Sequence, residues 1–178
     1  MRNKLEEGIL MNKTDKEKLM KAYKKNSGRK IRIHEVTMSK ELIRNRESNI
    51  PLSLHDSRII NIEYQERLLR LKLDKIFQYT EEREIIYTGE IGFTEIDIDD
   101  CNILIFDKIV CEGDFSGKAI SLTEYAKQYS NAEFEILSEG YNGYRTIYSG
   151  WIWQEGKEPV SAIINIYNIG KIIYRIGS

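Results

Sequence analysis

Proline is almost missing from this chain, with two in 178 residues, and cysteine and histidine are equally scarce at two each. The lack of proline, together with a bias toward Ile, Lys, Asn and Tyr, resembles the composition of low-GC bacterial proteins. Cys101 and Cys111 stand ten residues apart in apolar sequence with no Cys-x-x-Cys pair, which excludes a disulfide framework and leaves buried free thiols as the expectation. A structural zinc ion takes four ligands. His34 and His55 would be the only partners for the two thiols, so no metal or other cofactor is expected. Long apolar runs are also missing. The longest, at residues 103–106, is far short of the ~20 residues a membrane helix needs. Residues 1–25 are polar and Lys-rich and contain no apolar leader core, so a cytoplasmic protein without membrane contact is expected. There is no Gly-rich phosphate loop, no His-Glu-x-x-His, no Gly-x-Ser-x-Gly, no βαβ alternation and no repeat of 20–50 residues. These absences argue against nucleotide-binding parallel sheets, zincins, α/β-hydrolases and solenoids.

Charge is abundant but unevenly placed. Residues 1–47 carry 14 Lys/Arg against 7 Asp/Glu, and residues 48–178 carry 13 against 21. Acidic residues interrupt the basic stretch, so it reads as a segment lying on an acidic body; the alternative is a nucleic-acid-binding arm. The acidic balance elsewhere argues against nucleic acid, whose phosphates need cationic neutralisation.

The expected organisation is a basic helical segment over residues 1–50, packed on an antiparallel β-rich domain over 51–178. Thr14-Asp15-Lys16-Glu17 has the form of a capping box opening a helix to about Asn26. A short strand is expected over 31–37 and one or two helical turns over 39–46. From residue 54 the apolar period changes to two. Leu54, Ile60, Ile62 and Tyr64 share one parity, and Leu69, Leu71 and Leu73 repeat it after a polar turn at Gln65-Glu66. Ile85, Tyr87, Ile91 and Phe93 form a further set, and the shift of parity to Ile96 and Ile98 requires a bulge or turn between. Ser121-Leu122-Thr123-Glu124 is a second capping box, predicting about two helical turns through Tyr129. Further strands are expected over 102–110, 133–137, 144–153, 160–167 and 171–176. Turns are expected at 154–157 and, as a hairpin, at Asn168-Ile169-Gly170. The fold class is therefore α+β, mainly antiparallel β, as a sandwich or open curled barrel.

Three clusters carry possible chemistry. His55-Asp56-Ser57 has the letters of a hydrolytic triad, but consecutive strand residues point to opposite faces and cannot join in series. Asp56 is expected instead to pair with Arg58 or to accept backbone N–H groups, with His55 exposed beside it. Glu95, Asp97 and Asp99 alternate with Ile96 and Ile98 on one strand face. With Asp100 they form a candidate negative patch for a basic protein partner; hard-cation binding is the weaker alternative. Aromatic residues crowd the last third: Tyr141, Tyr144, Tyr148, Trp151, Trp153, Tyr167 and Tyr174. Trp151 and Trp153 share one face with Ile147, and Tyr144, Tyr148 and Ile152 share the other. A strand apolar on both faces is covered on both sides; otherwise the rings line a ligand pocket with His55, Asp56 and Arg58.

The stretch from Leu54 to Asp74, with its Leu-His-Asp-Ser start, alternating strand, tight turn and Leu-x-Leu-x-Leu return, resembles several uncharacterised bacterial families of small β-rich proteins. Some of these families look like immunity proteins of toxin systems. The resemblance implies a non-enzymatic, protein-binding role in a bacterial context and transfers no catalytic residue. The two leading readings are thus a protein-binding module, possibly of immunity type, and a small-ligand-binding or hydrolase-like protein with a β-lined aromatic pocket.

Overall fold

The structure is a computed structural model that describes residues 40–44, 52–107 and 116–177. The expected helix at 14–26, the strand at 31–37, His34 and Cys111 lie outside the described residues. Among the described residues the fold is mainly antiparallel β with one α-helix. Ten strands form one sheet: β1 (Lys40–Arg44), β2 (Arg58–Gln65), β3 (Leu68–Tyr79), β4 (Glu84–Phe93), β5 (Asn102–Phe106), β6 (Gly117–Ser121), β7 (Glu133–Asn142), β8 (Arg145–Trp153), β9 (Val160–Tyr167) and β10 (Ile172–Gly177). Their hydrogen-bonded order is β1-β10-β4-β3-β2-β7-β8-β9-β5-β6, open at both ends. The residues expected to make helical turns near position 40 instead form β1, because Leu42 and Arg44 lie opposite Tyr174 and Ile172 of β10.

The expected first hairpin is present, and its turn is Glu66-Arg67. Both residues have positive φ (49° and 65°), the geometry of a type I′ turn whose twist suits a hairpin. Leu69, Leu71 and Leu73 are buried as their alternation requires. On β2 the expected face is corrected in part. The register steps from Ile59 opposite Leu73 to Asn61 opposite Lys72, so Ile60 is an extra, bulged residue. Ile59 is buried in place of Ile60, which is 38% exposed, and regular alternation resumes at Ile62.

Helix α1 (Leu122–Gln128) starts where its capping box places it, with Ser121 Oγ accepting from the Glu124 N–H at 3.1 Å. Leu122 and Tyr125 are buried on its inner side. The strand at 160–167 matches expectation, and Gly156 (φ 71°) shapes the turn at 154–157, where the Lys157 N–H reaches the Gln154 carbonyl.

The expected hairpin at 168–170 is overturned. β9 pairs with β8 and β5, and β10 with β1 and β4. Five strands stand between β9 and β10 in the sheet order. At ~4.8 Å per step, a flat sheet would hold them nearly 30 Å apart. Four linking residues span no more than ~18 Å. The sheet must therefore curl, and one contiguous core lies inside the curl, with Leu54, Leu71, Phe93, Ile103, Phe134, Tyr148, Ile164 and Tyr174 all buried.

Candidate partner-binding surface

The curl brings three distant segments together where β9 gives way to β10. Thr94 and Lys171 exchange backbone contacts, with the Thr94 N–H donating to the Lys171 carbonyl at 3.0 Å and the Lys171 N–H donating to Thr94 Oγ1 at 2.7 Å. The Ile169 N–H donates to the Glu95 carbonyl, the Asp97 N–H to the Tyr167 carbonyl and the Asn168 N–H to the Tyr144 carbonyl. Residues 94–100, 144–145 and 167–171 are thus stitched into one surface by main-chain bonds. Such bonds hold a surface in shape without relying on flexible side chains.

The acidic residues sit on this surface, but not as one face of a strand. Glu95 takes a left-handed conformation (φ 53°), and Asp97 Oδ1 accepts the Asp99 N–H to start a single 3-10 turn at Ile98–Asp100. The preference of Asp for local backbone bonding overrides the strand alternation here. Ile96 is buried, while Glu95, Asp97, Asp99 and Asp100 are all exposed. Beside them stand Tyr144 and Ile169, 50% and 47% exposed. Tyr167 packs edge-on against Tyr144 at 6.3 Å, and the Arg145 guanidinium lies 5.4 Å from the Tyr167 ring. Among the described residues no group of three or more His, Cys, Asp or Glu side chains is placed to hold a metal ion.

The second set of candidates is split in two. His55 and Asp56 form an exposed turn, with His55 Nδ1 3.1 Å from Asp56 Oδ1, because Asp56 adopts φ 63° and no strand geometry separates the side chains. Arg58 does not pair with Asp56. Its guanidinium binds Glu133 Oε2 at 2.7 Å, which is the main cause of its raised pKa. The carboxylate that accepts the backbone N–H at the start of β2 is Asp74 (2.6 Å from Arg58 N). Arg58 also lies 5.2 Å from the Trp153 ring, whose Nε1–H donates to Glu135 Oε2 at 2.5 Å. Trp151 and Trp153 are tilted neighbours, 5.8 Å apart at 50°, and both are half-buried on the outer face of the sheet rather than inside a second core. Ser57 is fully buried, and its hydroxyl has no hydrogen-bond partner, so it cannot act with His55.

A third polar group was not foreseen in the sequence. A register shift between Ile136 and Ser138 makes Leu137 an extra residue, so Glu139 and Tyr141 lie opposite Tyr148 and Thr146 on the inner face. The Tyr141 hydroxyl lies 2.5 Å from Glu139 Oε2 and 2.8 Å from the Tyr174 hydroxyl, while Glu139 Oε1 accepts the Leu54 N–H at 3.0 Å. Arg44 covers the Tyr141 ring at 3.6 Å. Burial is the first cause that pushes the Tyr174 phenol up to about 12 and raises those of Tyr141 and Tyr148 well above the ordinary tyrosine value. The parity that Tyr148 shares with Ile152, and Tyr174 with Ile172, pointed inward. Glu139 carried no such signal, because the bulge that turns it inward has no sequence mark.

No family model matches this chain, and neither does any curated protein or solved structure compared with it. No helix among the described residues is long and apolar enough to cross a membrane.

Proposed function

We propose that this protein is a non-enzymatic binding protein that covers a basic surface of a protein partner, in the manner of a bacterial immunity protein acting in the cytoplasm. The observation that carries this reading is the placement of exposed Tyr144 and Ile169 among the carboxylates of Glu95, Asp97, Asp99 and Asp100. Aromatic anchors within a charged rim are the usual anatomy of a recognition surface, and complementary charge speeds association. The same main-chain bonds that shape the surface lower the ordering cost of binding. The test is capture of a stoichiometric partner by the full chain, followed by Asp97→Lys/Asp99→Lys and Tyr144→Ala. Each variant should weaken binding at least tenfold, the charge reversal mainly through slower association. Undiminished affinity in both would remove the proposal.

A second reading is a small-ligand site on the outer face, favoured by the half-buried Trp151–Trp153 pair beside Arg58 and Glu135. Ring-shaped ligands stacking there would quench tryptophan fluorescence, and Trp151→Ala would abolish the response. His55 and Asp56 lie in the exposed turn before β2 and take no part in this version.

A further inference from the structure

β2 is paired along its full length on one side only. It faces β3 from Ile59 to Gln65, but it meets β7 only at Arg58 and Ile59. The bulge at Ile60 bends the strand away, and upstream of Glu133 the chain turns into α1 instead of continuing β7 beside it. The two-residue turn at Glu66-Arg67 fixes which backbone groups remain. Gln65 flanks the turn opposite Leu68 and bonds to β3, as does Glu63, so the N–H and C=O of Ile62 and Tyr64 point toward the open side. Among the described residues no strand pairs with that side. Tyr64 is 39% exposed beside it.

What faces this edge is a slot rather than open margin. A cavity of about 70 Å³ lies between β2 and the end of α1, lined chiefly by Ile59, Ile62, Tyr125, Tyr129, Ala132 and Phe134. Backbone donors and acceptors at a two-residue repeat, beside a small hole walled by apolar side chains together with Asn61 and Ser130, are the footprint of an added strand whose alternate side chains seek a pocket. β7 and α1 already continue the molecule on this side, so a second copy bringing its whole sheet would run into them. A single extended segment would not.

We infer that Ile62 and Tyr64 form a strand-addition site for an extended peptide of a partner, with one small apolar side chain of that peptide seated in the cavity beneath α1. The site adjoins the acidic surface at its turn end, where the Ile96 N–H donates to the Arg67 carbonyl at 3.0 Å, but it uses none of the carboxylates at 95–100.

The test uses the full chain as bait for a display library of short linear peptides, with the selected peptides synthesised and titrated. Hydrogen exchange should show the amides of Ile62 and Tyr64 unprotected in the free protein and protected on peptide addition, while those of Glu63 and Gln65 are protected throughout. Tyr64→Pro removes an N–H that β3 does not use, and should lower affinity about tenfold or more. Ala126→Leu, at the cavity wall on α1, should lower affinity with the circular dichroism of the free protein unchanged. The inference fails if no peptide is selected. It also fails if selected peptides bind without protecting Ile62 and Tyr64, or if these amides become protected only through concentration-dependent self-association.

Discussion

The hydroxyls of Tyr141 and Tyr174 meet at 2.8 Å although three strands separate β7 from β10 in the sheet. The contact ties the two walls of the curl through a polar link inside an apolar core, and the Glu139 carboxylate anchors it from β7. Tyr141→Phe should cost about 1–3 kcal/mol, since it leaves Glu139 short of a donor, and Tyr174→Phe about 1 kcal/mol. In a double-mutant cycle read by urea denaturation, the pair should be non-additive. Strict additivity would mean that the link contributes nothing of its own.

The same cluster, together with Tyr125 of α1, sets an alkaline limit. The phenols of Tyr125, Tyr141, Tyr148 and Tyr174 are all raised, chiefly by burial, while an unfolded tyrosine titrates near ~10. Above that pH the unfolded chain releases protons that the native state retains. Stability is therefore fully present below about pH 10 and falls as pH rises toward and through the Tyr174 value of about 12. In an absorbance titration of tyrosinate, these four residues should ionise only together with the loss of near-ultraviolet dichroism. Free titration of all 11 tyrosines in a folded protein would contradict this.

Gly150 is the most constrained glycine of the sheet. A Cβ there would overlap the Glu135 carbonyl oxygen of the neighbouring strand and press on the Phe134 ring. Gly150→Ala should destabilise by about 2–4 kcal/mol through forced separation of β7 and β8. At Gly143 the space is open and only the positive φ of 55° opposes a side chain, so Gly143→Ala should cost about 1 kcal/mol. Thermal melts of the two variants should fall in that order.

The charge ladder of Glu41, Arg175 and Glu90 crosses three strands with bonds of 3.0 and 2.6 Å, yet it lies on the outer face and is partly solvated. Arg175→Ala should change stability by less than about 1 kcal/mol, and the difference should shrink further in high salt. A larger loss would show that the guanidinium's packing over β10 matters more than its charge.

Elements with local determinants were legible in the sequence. Ser121 and Glu124 marked α1 because a capping box is a contact between residues three apart, and the Leu69-Leu71-Leu73 alternation marked the first half of β3 because the pleat is regular as far as Leu73. The exposed acidic positions 95–100 were also legible as surface, though not their turn. Three features were hidden. The bulges at Ile60 and Leu137 shift parity without a compositional mark, which placed Ile60 on the wrong face and concealed Glu139. Asp56 reads as a strand residue until its left-handed backbone is seen. Asn168-Ile169-Gly170 has hairpin composition, but turn residues report local chain reversal and say nothing about which strand lies alongside.

The place of β10 between β1 and β4 bears on the order of assembly. Among the described residues β1 has β10 as its only neighbour, and β10 is the last described strand. During synthesis β2, β3 and β4 can pair as soon as they emerge, but β1 waits for more than a hundred further residues before its partner exists. The open margin of β4 waits with it. Slow elongation or early termination before residue 172 would therefore leave a sheet margin bearing Ile91 and Phe93 uncovered, the kind of edge on which nascent chains misassemble.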